Sequence, residues 1–196
     1  MTIPEIDDPL VLFHDWLNEA EAKDETDHTA ACLATAGINA IPSARMVLLK
    51  GADPNGFVFY TNLDSRKGQE ITENPNAALC FYWKSLRRQV RVEGSIASVP
   101  ASTADTYFAT RPREAQIGAW ASLQSRTLEA RSDLERRVKE YSTKFGPDPV
   151  PRPNYWSGYC LIPRRIEFWK NANFRLHDRL IYTLSDGTWK RSWLFP

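Results

Sequence analysis

The sequence predicts a mainly β fold of the α+β class, an antiparallel Greek-key barrel with flanking helices. Three observations support this prediction: the β-prone runs are short, they follow one another closely, and turn-forming residues separate them. Strands at this spacing leave too little chain for the crossover helices of a parallel sheet. The 196 residues, of which 42% are hydrophobic and 25% charged, are expected to form one domain with a core of its own.

Residues 1–28 are expected to form a helix and a lead-in to the sheet. Asp8 is placed to cap a helix whose first residue is Pro9, a position that proline favours. Apolar residues then recur at helical spacing up to about Lys23. The pattern predicts an amphipathic helix with one face on the core.

Residues 29–99 are expected to supply the first barrel strands. A short helix at 65–73, capped by Ser65, interrupts these strands, and the Gly-, Pro- and Asn-containing segment 51–56 is expected to be a turn. The predicted strands span 30–35, 41–50, 57–62, 77–83 and 89–99.

The segment 100–146 is expected to be helical, and residues 154–196 return to strands. A proline-rich connector joins these two segments, and Ser185-Asp186-Gly187 is typical of a hairpin turn. The predicted helices span 101–110, 114–122 and 127–144, and the predicted strands span 158–169, 175–184 and 189–194.

Composition and motifs argue against several classes of function. The 25 Lys and Arg balance 24 Asp and Glu, so no basic stripe for nucleic acid is expected. The longest apolar run, 77–83, is too short for a membrane helix, and the acidic N-terminus is unlike a signal peptide. Three widely spaced cysteines favour a reducing cytoplasm. The histidines and cysteines show no metal-ligand spacing, so no metal site is expected.

Two pairs of cations in the first half of the chain could bind an anion. Arg66 and Lys67 lie at the predicted start of the short helix, where the helix dipole already favours negative charge. Cations there indicate either a bound anion or a solvated surface. Arg45 and Lys50 lie on one predicted strand and would face opposite ways unless a bulge intervenes or Lys50 leaves the ladder.

Two further patterns lie in the second half. Tyr107 and Arg111 are four residues apart on a predicted helix, so the pair could hold a phosphate, or the arginine could pack on the ring. Arg175, His177 and Arg179 alternate along a predicted strand and would share one face. Such a face either binds an anionic or electron-rich ligand or is exposed, with acidic neighbours balancing its charge.

With these residues taken together, the chain resembles the pyridoxamine 5′-phosphate oxidase family over nearly its whole length. Each segment alone is weak, whereas their common order is specific. The segments that carry the resemblance are Arg45-Met46-Val47-Leu48-Leu49-Lys50, Phe59-Tyr60-Thr61-Asn62, Ser65-Arg66-Lys67, Arg88-Gln89-Val90, Tyr107, Arg111-Pro112-Arg113, Gln116-Ile117-Gly118-Ala119-Trp120, Gln124-Ser125, Ile166-Glu167-Phe168-Trp169 and Arg175-Leu176-His177-Asp178-Arg179.

The resemblance implies an FMN-binding split β-barrel that works as a homodimer, with FMN at the subunit interface. It also implies that Arg45, Arg66 and Lys67 hold the FMN phosphate. The other residues that it assigns to the FMN site are Met46, Val47, Leu48, Lys50, Tyr60, Thr61, Gln89, Gln124, Ser125, Trp169 and Arg179.

The reaction implied by the resemblance is oxidation of pyridoxine or pyridoxamine 5′-phosphate to pyridoxal 5′-phosphate. A hydride passes from substrate C4′ to the flavin, and dioxygen reoxidises the flavin with release of hydrogen peroxide. Lys50, Tyr107 and Arg111 would bind the substrate phosphate, and Arg175 and His177 would be the catalytic residues that orient the pyridine ring.

Two positions depart from the family pattern. Ala115 stands where the family usually has a serine that binds the substrate phosphate, and Lys170 stands where a neutral polar residue is more common. Loss of the serine bond would cost about 1.5–3 kcal/mol of affinity unless another contact replaces it. Two alternatives therefore stay open: a flavin oxidase of the same fold acting on another aromatic such as a phenazine precursor, and a non-catalytic flavin- or pyridoxal-phosphate-binding protein.

Overall fold

An antiparallel sheet of nine strands forms the body of the protein in the computed structural model, which describes residues 2–23 and 26–196. The strand order is β2-β1-β5-β6-β7-β4-β3, and β8 and β9 extend the sheet from β7. The strands are β1 (Ala30–Ala36), β2 (Pro42–Leu48), β3 (Gly51–Asp53), β4 (Gly56–Asn62), β5 (Asn76–Trp83), β6 (Arg88–Ser98), β7 (Trp156–Lys170), β8 (Asp178–Ser185) and β9 (Thr188–Trp193).

Five α-helices flank this sheet in the described part of the chain, and none of them is long and apolar enough to cross a membrane. The predicted caps are present, since Asp8 Oδ1 accepts from the Leu10 amide at 2.8 Å and Ser65 Oγ accepts from the Gly68 amide at 3.4 Å. The helices are α1 (Pro9–Ala22), α2 (Arg66–Glu73), α3 (Ala101–Thr110), α4 (Arg113–Ala121) and α5 (Arg131–Phe145).

The main core lies between α1 and the inner face of the curled sheet. Phe13 of α1 is fully buried, and its ring contacts the rings of Phe57 and Phe81 edge to face at centroid distances of 5.0 and 5.2 Å. Trp16 meets Phe168 in the same way at 5.2 Å. Each such buried aromatic side chain contributes about 1.5–3 kcal/mol through the water-exposed area that it removes. The amphipathic helix α1, predicted from the spacing of its apolar residues, thus packs its apolar face against the core of the barrel.

The strands β6 and β7 are the longest pair of neighbouring strands in the sheet, and they set the positions of the strands that pair with them. Their register shifts between Glu93 and Gly94, where β7 contains one extra residue, as in a β-bulge. A Cβ atom on Gly94 would lie 1.9 Å from the Ile162 carbonyl oxygen, so this close approach requires glycine.

Two predictions about the strands were wrong. The predicted strand 41–50 ends at Leu48, and the segment expected to be only a turn contains the short strand β3, paired with β4. Lys50 lies between β2 and β3, and its amide donates to the Val58 carbonyl at 2.8 Å. Lys50 therefore does not belong to the β2 ladder. Strand alternation no longer determines the side to which its side chain points.

The predicted strand 175–184 was also wrong at its start. Residues Asn173–Arg175 form a single 3₁₀ turn, in which Phe174 and Arg175 have positive φ of 57° and 63°. The strand β8 begins only at Asp178. Arg175, His177 and Arg179 therefore do not alternate along one strand, and their shared face does not follow from strand geometry. The hairpin at Asp186-Gly187 is as predicted, with both φ angles positive as in a type I′ turn.

Candidate functional site

A cavity of about 540 Å³ opens between β2, β4 and the helices α2 to α4. Three cations and no carboxylate are among the described residues that line it, so it is suited to an anionic ligand. The lining residues are Met46, Val47, Leu48, Lys50, Tyr60, Thr61, Asn62, Lys67, Tyr107, Arg111, Ala115, Gly118, Ala119, Ser122, Gln124 and Trp156.

Lys67 is the buried cation of this cavity. Its Nζ donates to Gln124 Oε1 at 2.8 Å and to Ser65 Oγ at 3.3 Å, and Thr61 Oγ1 donates to the same Gln124 oxygen at 3.4 Å. Burial, and then the charge of Arg45, lower the pKa of Lys67. Within the described chain no carboxylate pairs with this ammonium group. An anion beside Lys67 would therefore supply the countercharge that the fold does not.

Arg111 ends α3 at the opposite wall of the cavity. Its Cζ lies 4.8 Å from the ring centre of Trp156 and 5.5 Å from that of Phe108. Its Nη1 is buried, with no hydrogen-bond partner among the described residues, and burial lowers the pKa of the guanidinium. A buried donor without an acceptor is costly unless a ligand completes it.

Tyr107 lies one turn before Arg111 and stacks on Tyr60 of β4. The two ring centres are 4.0 Å apart and the planes differ by 14°. Burial, and then the neighbouring Tyr107, raise the pKa of Tyr60, so its phenol is a neutral donor near pH 7. Gly158 makes room for this stack, because a Cβ atom there would lie 2.7 Å from the Tyr60 ring. The predicted common face of Tyr107 and Arg111 is present, although the guanidinium packs on Trp156 rather than on Tyr107.

Small residues form the wall on α4. Ala115 and Ala119, one turn apart, line the cavity, and a Cβ atom on Gly118 would meet nothing within 4 Å. The serine hydroxyl that the family pattern places at position 115 is absent here. The space beside this helix is open to a ligand.

Arg45 does not line the cavity. Its guanidinium donates to the Leu33 carbonyl at 3.2 Å and to Glu70 at 3.1 Å, and also to the Ser43 hydroxyl. Arg66 Nε donates to the other Glu70 oxygen at 2.8 Å. Two of the three cations assigned to an FMN phosphate are thus paired with one carboxylate, and Arg45 influences the cavity through its charge on Lys67.

Glu70 is the acceptor that holds this cluster together. Burial by itself would raise its pKa, but hydrogen bonds from Ser43, Thr35, Arg66 and Arg45 outweigh burial and hold the pKa at about 2. The carboxylate is therefore ionised throughout the physiological range. Its two arginines remain fixed beside α2.

A second cluster of predicted site residues lies on the outer side of the sheet. Gln89, Trp169 and Arg179 are register partners across β6, β7 and β8, so their side chains stand in one row. The His177 ring lies 4.7 Å from the Trp169 ring. Arg179 Nε donates to Glu167 Oε1 at 2.8 Å, and this hydrogen bond raises the pKa of Arg179.

The tautomer of His177 follows from its backbone contact. The Ala172 amide, which can only donate, approaches Nδ1 at 3.2 Å. Nδ1 is therefore an acceptor, and the proton of the neutral ring lies on Nε2. Arg175 is exposed in the neighbouring turn.

The two clusters are far apart within one chain. Gly158 pairs with Tyr60 at the cavity end of β7, whereas Trp169 lies eleven residues further along the same strand. At about 3.3 Å per residue the path along this curled strand is roughly 35 Å. Across the sheet, Met46 of the cavity shares a register row with Cys32, Cys80, Arg91 and Glu167, which is four strand spacings or roughly 19 Å. The second cluster therefore lies several strands from the cavity of its own chain.

An exposed apolar strip extends from the cavity, where Met46 and Leu48 are lining residues, to Tyr82 beside the second cluster. Tyr82, the register partner of Gln89, is 59% exposed, and Met46 and Leu48 of β2 are 62% and 44% exposed. Large apolar side chains grouped on a sheet face are typical of a protein–protein contact.

Five cavity residues were absent from the predicted site, namely Asn62, Gly118, Ala119, Ser122 and Trp156. Trp156 and Asn62 are register partners at the ends of β7 and β4, and both line the cavity. The only available signal was the alternation that places Trp156 on the same side as Gly158, the residue opposite Tyr60. Ser125, which was predicted, adopts a φ of 71° in an exposed loop and does not line the cavity.

Comparisons with known proteins cover almost the whole chain. Residues 18–145 match the family described as pyridoxamine 5′-phosphate oxidase, and residues 156–196 match the pyridoxine 5′-phosphate oxidase C-terminal dimerisation region. The pyridoxine/pyridoxamine 5′-phosphate oxidase of Sphingopyxis alaskensis is 54% identical over 100% of this chain and 91% of its own length. That of Rhodospirillum rubrum is 53% identical over 96% of each chain.

Solved structures agree with this fold. PhzG from Burkholderia lata, solved with tetrahydrophenazine-1-carboxylic acid, has a TM-score of 0.92 at 31% identity and covers 97% of this chain and 94% of its own. An FMN-binding protein from Nostoc punctiforme, related to pyridoxamine 5′-phosphate oxidase, has a TM-score of 0.77 at 17% identity over 98% of this chain and 100% of its own. The split-barrel prediction is confirmed, and the chain belongs to the pyridoxamine 5′-phosphate oxidase family.

Proposed function

We propose that the protein oxidises pyridoxine 5′-phosphate and pyridoxamine 5′-phosphate to pyridoxal 5′-phosphate, with FMN as cofactor and dioxygen as final acceptor. The observation that carries this proposal is the cavity with three cations and no carboxylate, in which Arg111 Nη1 has no described partner. Membership of the family and relatives above 50% identity support the same reaction.

The residues present fit FMN. A buried ammonium without a described countercharge, next to the start of α2, is suited to a phosphate group. Arg45 and Arg66, fixed by Glu70, add positive charge beside it. The residues proposed to hold the rest of FMN from the same chain are Met46, Val47, Leu48, Lys50, Tyr60, Thr61, Gln124 and Ser125.

The chemistry that FMN supplies when bound is acceptance of a hydride and its transfer to dioxygen, with release of peroxide. The protein itself binds the substrate and orients it. Lys50, Tyr107 and Arg111 bind the substrate phosphate, which fixes one end of the substrate. Arg175 and His177 lie against the pyridine ring and set its orientation, and the Nε2–H of His177 is available as a donor.

A homodimer completes this site in the proposal. Gln89, Trp169, Arg175, His177 and Arg179 come from the partner copy, because none of them lines the cavity of its own chain. The exposed strip of Tyr82, Met46 and Leu48 supplies an apolar contact surface beside them. We place the enzyme in the cytoplasm, in keeping with three free cysteines.

A second candidate is oxidation of a phenazine precursor. The structural similarity to PhzG and the presence of Ala115 favour it. Lys50 and Arg111 together suit a doubly charged phosphate better than a single carboxylate, so the phosphorylated vitamer remains the better fit. A protein that only binds flavin or pyridoxal phosphate is a third alternative.

An anaerobic experiment distinguishes these functions. Purified protein with FMN bound is mixed with pyridoxine 5′-phosphate, and the visible flavin absorbance is followed before and after admission of air. Bleaching followed by recovery and peroxide release is expected. Bleaching only by a dihydrophenazine precursor would favour the second candidate. A yellow protein that no substrate bleaches would favour a binding role, and a protein unable to take up FMN would contradict the proposal.

A further inference from the structure

We propose that Trp156 is a positioning residue for phosphate binding, and that its indole holds the Arg111 guanidinium at the cavity wall with donors free for the ligand. This inference rests on the proposed function only in naming the ligand as a substrate phosphate. Trp156 is not among the site residues predicted from the sequence, and it lies 45 residues after Arg111 in the chain.

Two aromatic rings hold the guanidinium from different directions. Arg111 Cζ lies 4.8 Å from the ring centre of Trp156 and 5.5 Å from that of Phe108. The two rings meet edge to face, with centres 5.0 Å apart and planes 69° apart. A cation near two such rings has little freedom to reorient.

Trp156 is itself fixed in place. It is 6% exposed, and its ring stacks on Tyr60 with centres 5.3 Å apart and planes 7° apart. Its carbonyl accepts from Arg152 Nη1 at 2.7 Å, and Arg152 Nε donates to Asp105 of α3 at 2.7 Å. The indole is thus tied both to β4 and to the helix that carries Arg111.

An aromatic ring and a carboxylate would leave Arg111 with different numbers of free hydrogen-bond donors. A carboxylate would hold Arg111 by consuming its N–H groups, whereas an aromatic face attracts the cation and leaves those donors unpaired. Arg111 has no ion pair in the described chain, and its Nη1 has no acceptor. The arrangement keeps a desolvated cation ready for an anion, which lowers the ordering cost of binding.

The test combines direct binding with steady-state kinetics. We would prepare Trp156→Phe, Trp156→Leu, Arg111→Ala and the double variant Trp156→Leu/Arg111→Ala, all loaded with FMN. Calorimetry measures the Kd of pyridoxal 5′-phosphate and of inorganic phosphate, and kinetics give KM and kcat for pyridoxine 5′-phosphate. Trp16→Phe is the matched control, because Trp16 is also buried beneath an arginine, with Arg88 Cζ 4.7 Å from its ring, but lies in the main core.

We expect Trp156→Leu to raise the Kd of both probes and the KM about tenfold, with kcat within twofold of the unchanged protein. Trp156→Phe, which retains a ring, should show a smaller rise. Trp16→Phe should leave both Kd values unchanged. The double variant should bind no more weakly than Arg111→Ala, because Trp156 acts through that arginine.

The inference is overturned if Trp156→Leu binds both probes as tightly as the unchanged protein. It is also overturned if the two substitutions lower affinity additively, or if kcat and FMN content fall together with affinity, since a structural role would do so. If Trp156→Leu does not fold, the same criteria are applied to Trp156→Phe and to the double variant Trp156→Phe/Arg111→Ala. If the protein without substitutions binds pyridoxal 5′-phosphate but oxidises no vitamer, the proposed function is contradicted. The Kd values of the variants would still test the role of Trp156. A protein without substitutions that binds neither probe would contradict both.

Discussion

The Arg45 guanidinium lies 3.1 Å from the Glu70 carboxylate, and neither residue lines the cavity. Both side chains are mostly buried, with exposed fractions of 20% and 12%. The pair anchors the edge strand β2 to α2, the helix that carries Lys67. Arg45 therefore has a structural partner in addition to the phosphate role implied by the family resemblance.

Substitution of Glu70 by Gln should destabilise the protein in a pH-dependent way. The folded pKa of about 2 lies below the ordinary value of 4.5, so the ionised group stabilises the fold above pH 4.5. That stabilisation is lost as the pH falls from 4.5 to about 2. We expect a loss of about 2 kcal/mol at pH 7, from weaker hydrogen bonds and two arginines without their countercharge.

Urea unfolding of both proteins between pH 7 and pH 2.5 measures this effect. The difference in unfolding free energy should shrink toward the acid end. Glu73→Gln is the control, because this exposed residue accepts from the Ile38 amide at 3.0 Å and forms no ion pair with the described residues. A constant difference at every pH would show that the carboxylate charge does not contribute as argued.

Substitution of Lys67 by Met should weaken FMN binding about 10- to 100-fold, the equivalent of one charge-assisted hydrogen bond. The FMN-free protein should be no less stable, because the change removes a buried cation without a carboxylate. Fluorescence titration with FMN and thermal unfolding of the apoprotein measure the two effects. Lys139→Met, an exposed lysine on α5, is the control.

The lowered pKa of Lys67 predicts a pH dependence of the same affinity. The ammonium loses its proton below the ordinary value of 10.5, so FMN affinity should fall as the pH rises through that lowered pKa. The Lys67→Met protein should lack this fall. Equal alkaline weakening in both proteins would assign the effect to another group.

Substitution of Ala115 by Ser should strengthen substrate binding. A hydroxyl at this wall can donate to the phosphate beside Arg111, and one such charge-assisted bond contributes about 1.5–3 kcal/mol, so KM should fall about 10- to 150-fold. Ala119→Ser, one turn further along α4 in the same cavity, is the matched control. A KM lowered equally by both changes would indicate a general gain in polarity rather than the contact proposed.

Substitution of Tyr82 by Glu should separate the two copies and release FMN together. The side chain is 59% exposed, so the monomer should still fold, but a charge there opposes burial against a partner. Sedimentation and FMN titration at one protein concentration measure both effects. Leu128→Glu, at 48% exposure in the loop before α5, is the control. A monomer that retains full FMN affinity would contradict the shared site.

Substitution of Arg175 or His177 by Ala should impair substrate handling more than FMN retention. Both residues are assigned to the pyridine ring, so kcat/KM should fall about tenfold or more while FMN content is unchanged. Asn173→Ala, an exposed change in the same turn, is the control. Loss of FMN from the Arg175 and His177 variants equal to the loss in activity would place these residues in the flavin site instead.

Local sequence was sufficient for most of the fold. Asp8 and Ser65 cap their helices and Asp186-Gly187 forms the hairpin as expected, because each depends on neighbours within a few positions. The start of β8 could not be predicted in this way. Phe174 and Arg175 adopt positive φ, a conformation that non-glycine residues rarely take and that no residue preference signals.

The sequence by itself determined the order of the elements and the residue types available for an anion site. Only the tertiary structure decided which of these residues meet. Lys67 contacts Gln124 across 57 residues and Arg111 contacts Trp156 across 45, whereas Arg45 turns instead to Glu70. Trp169 does not line the cavity of its own chain. Spacing along the chain fixes local geometry, but these encounters depend on sheet register and helix packing between distant segments.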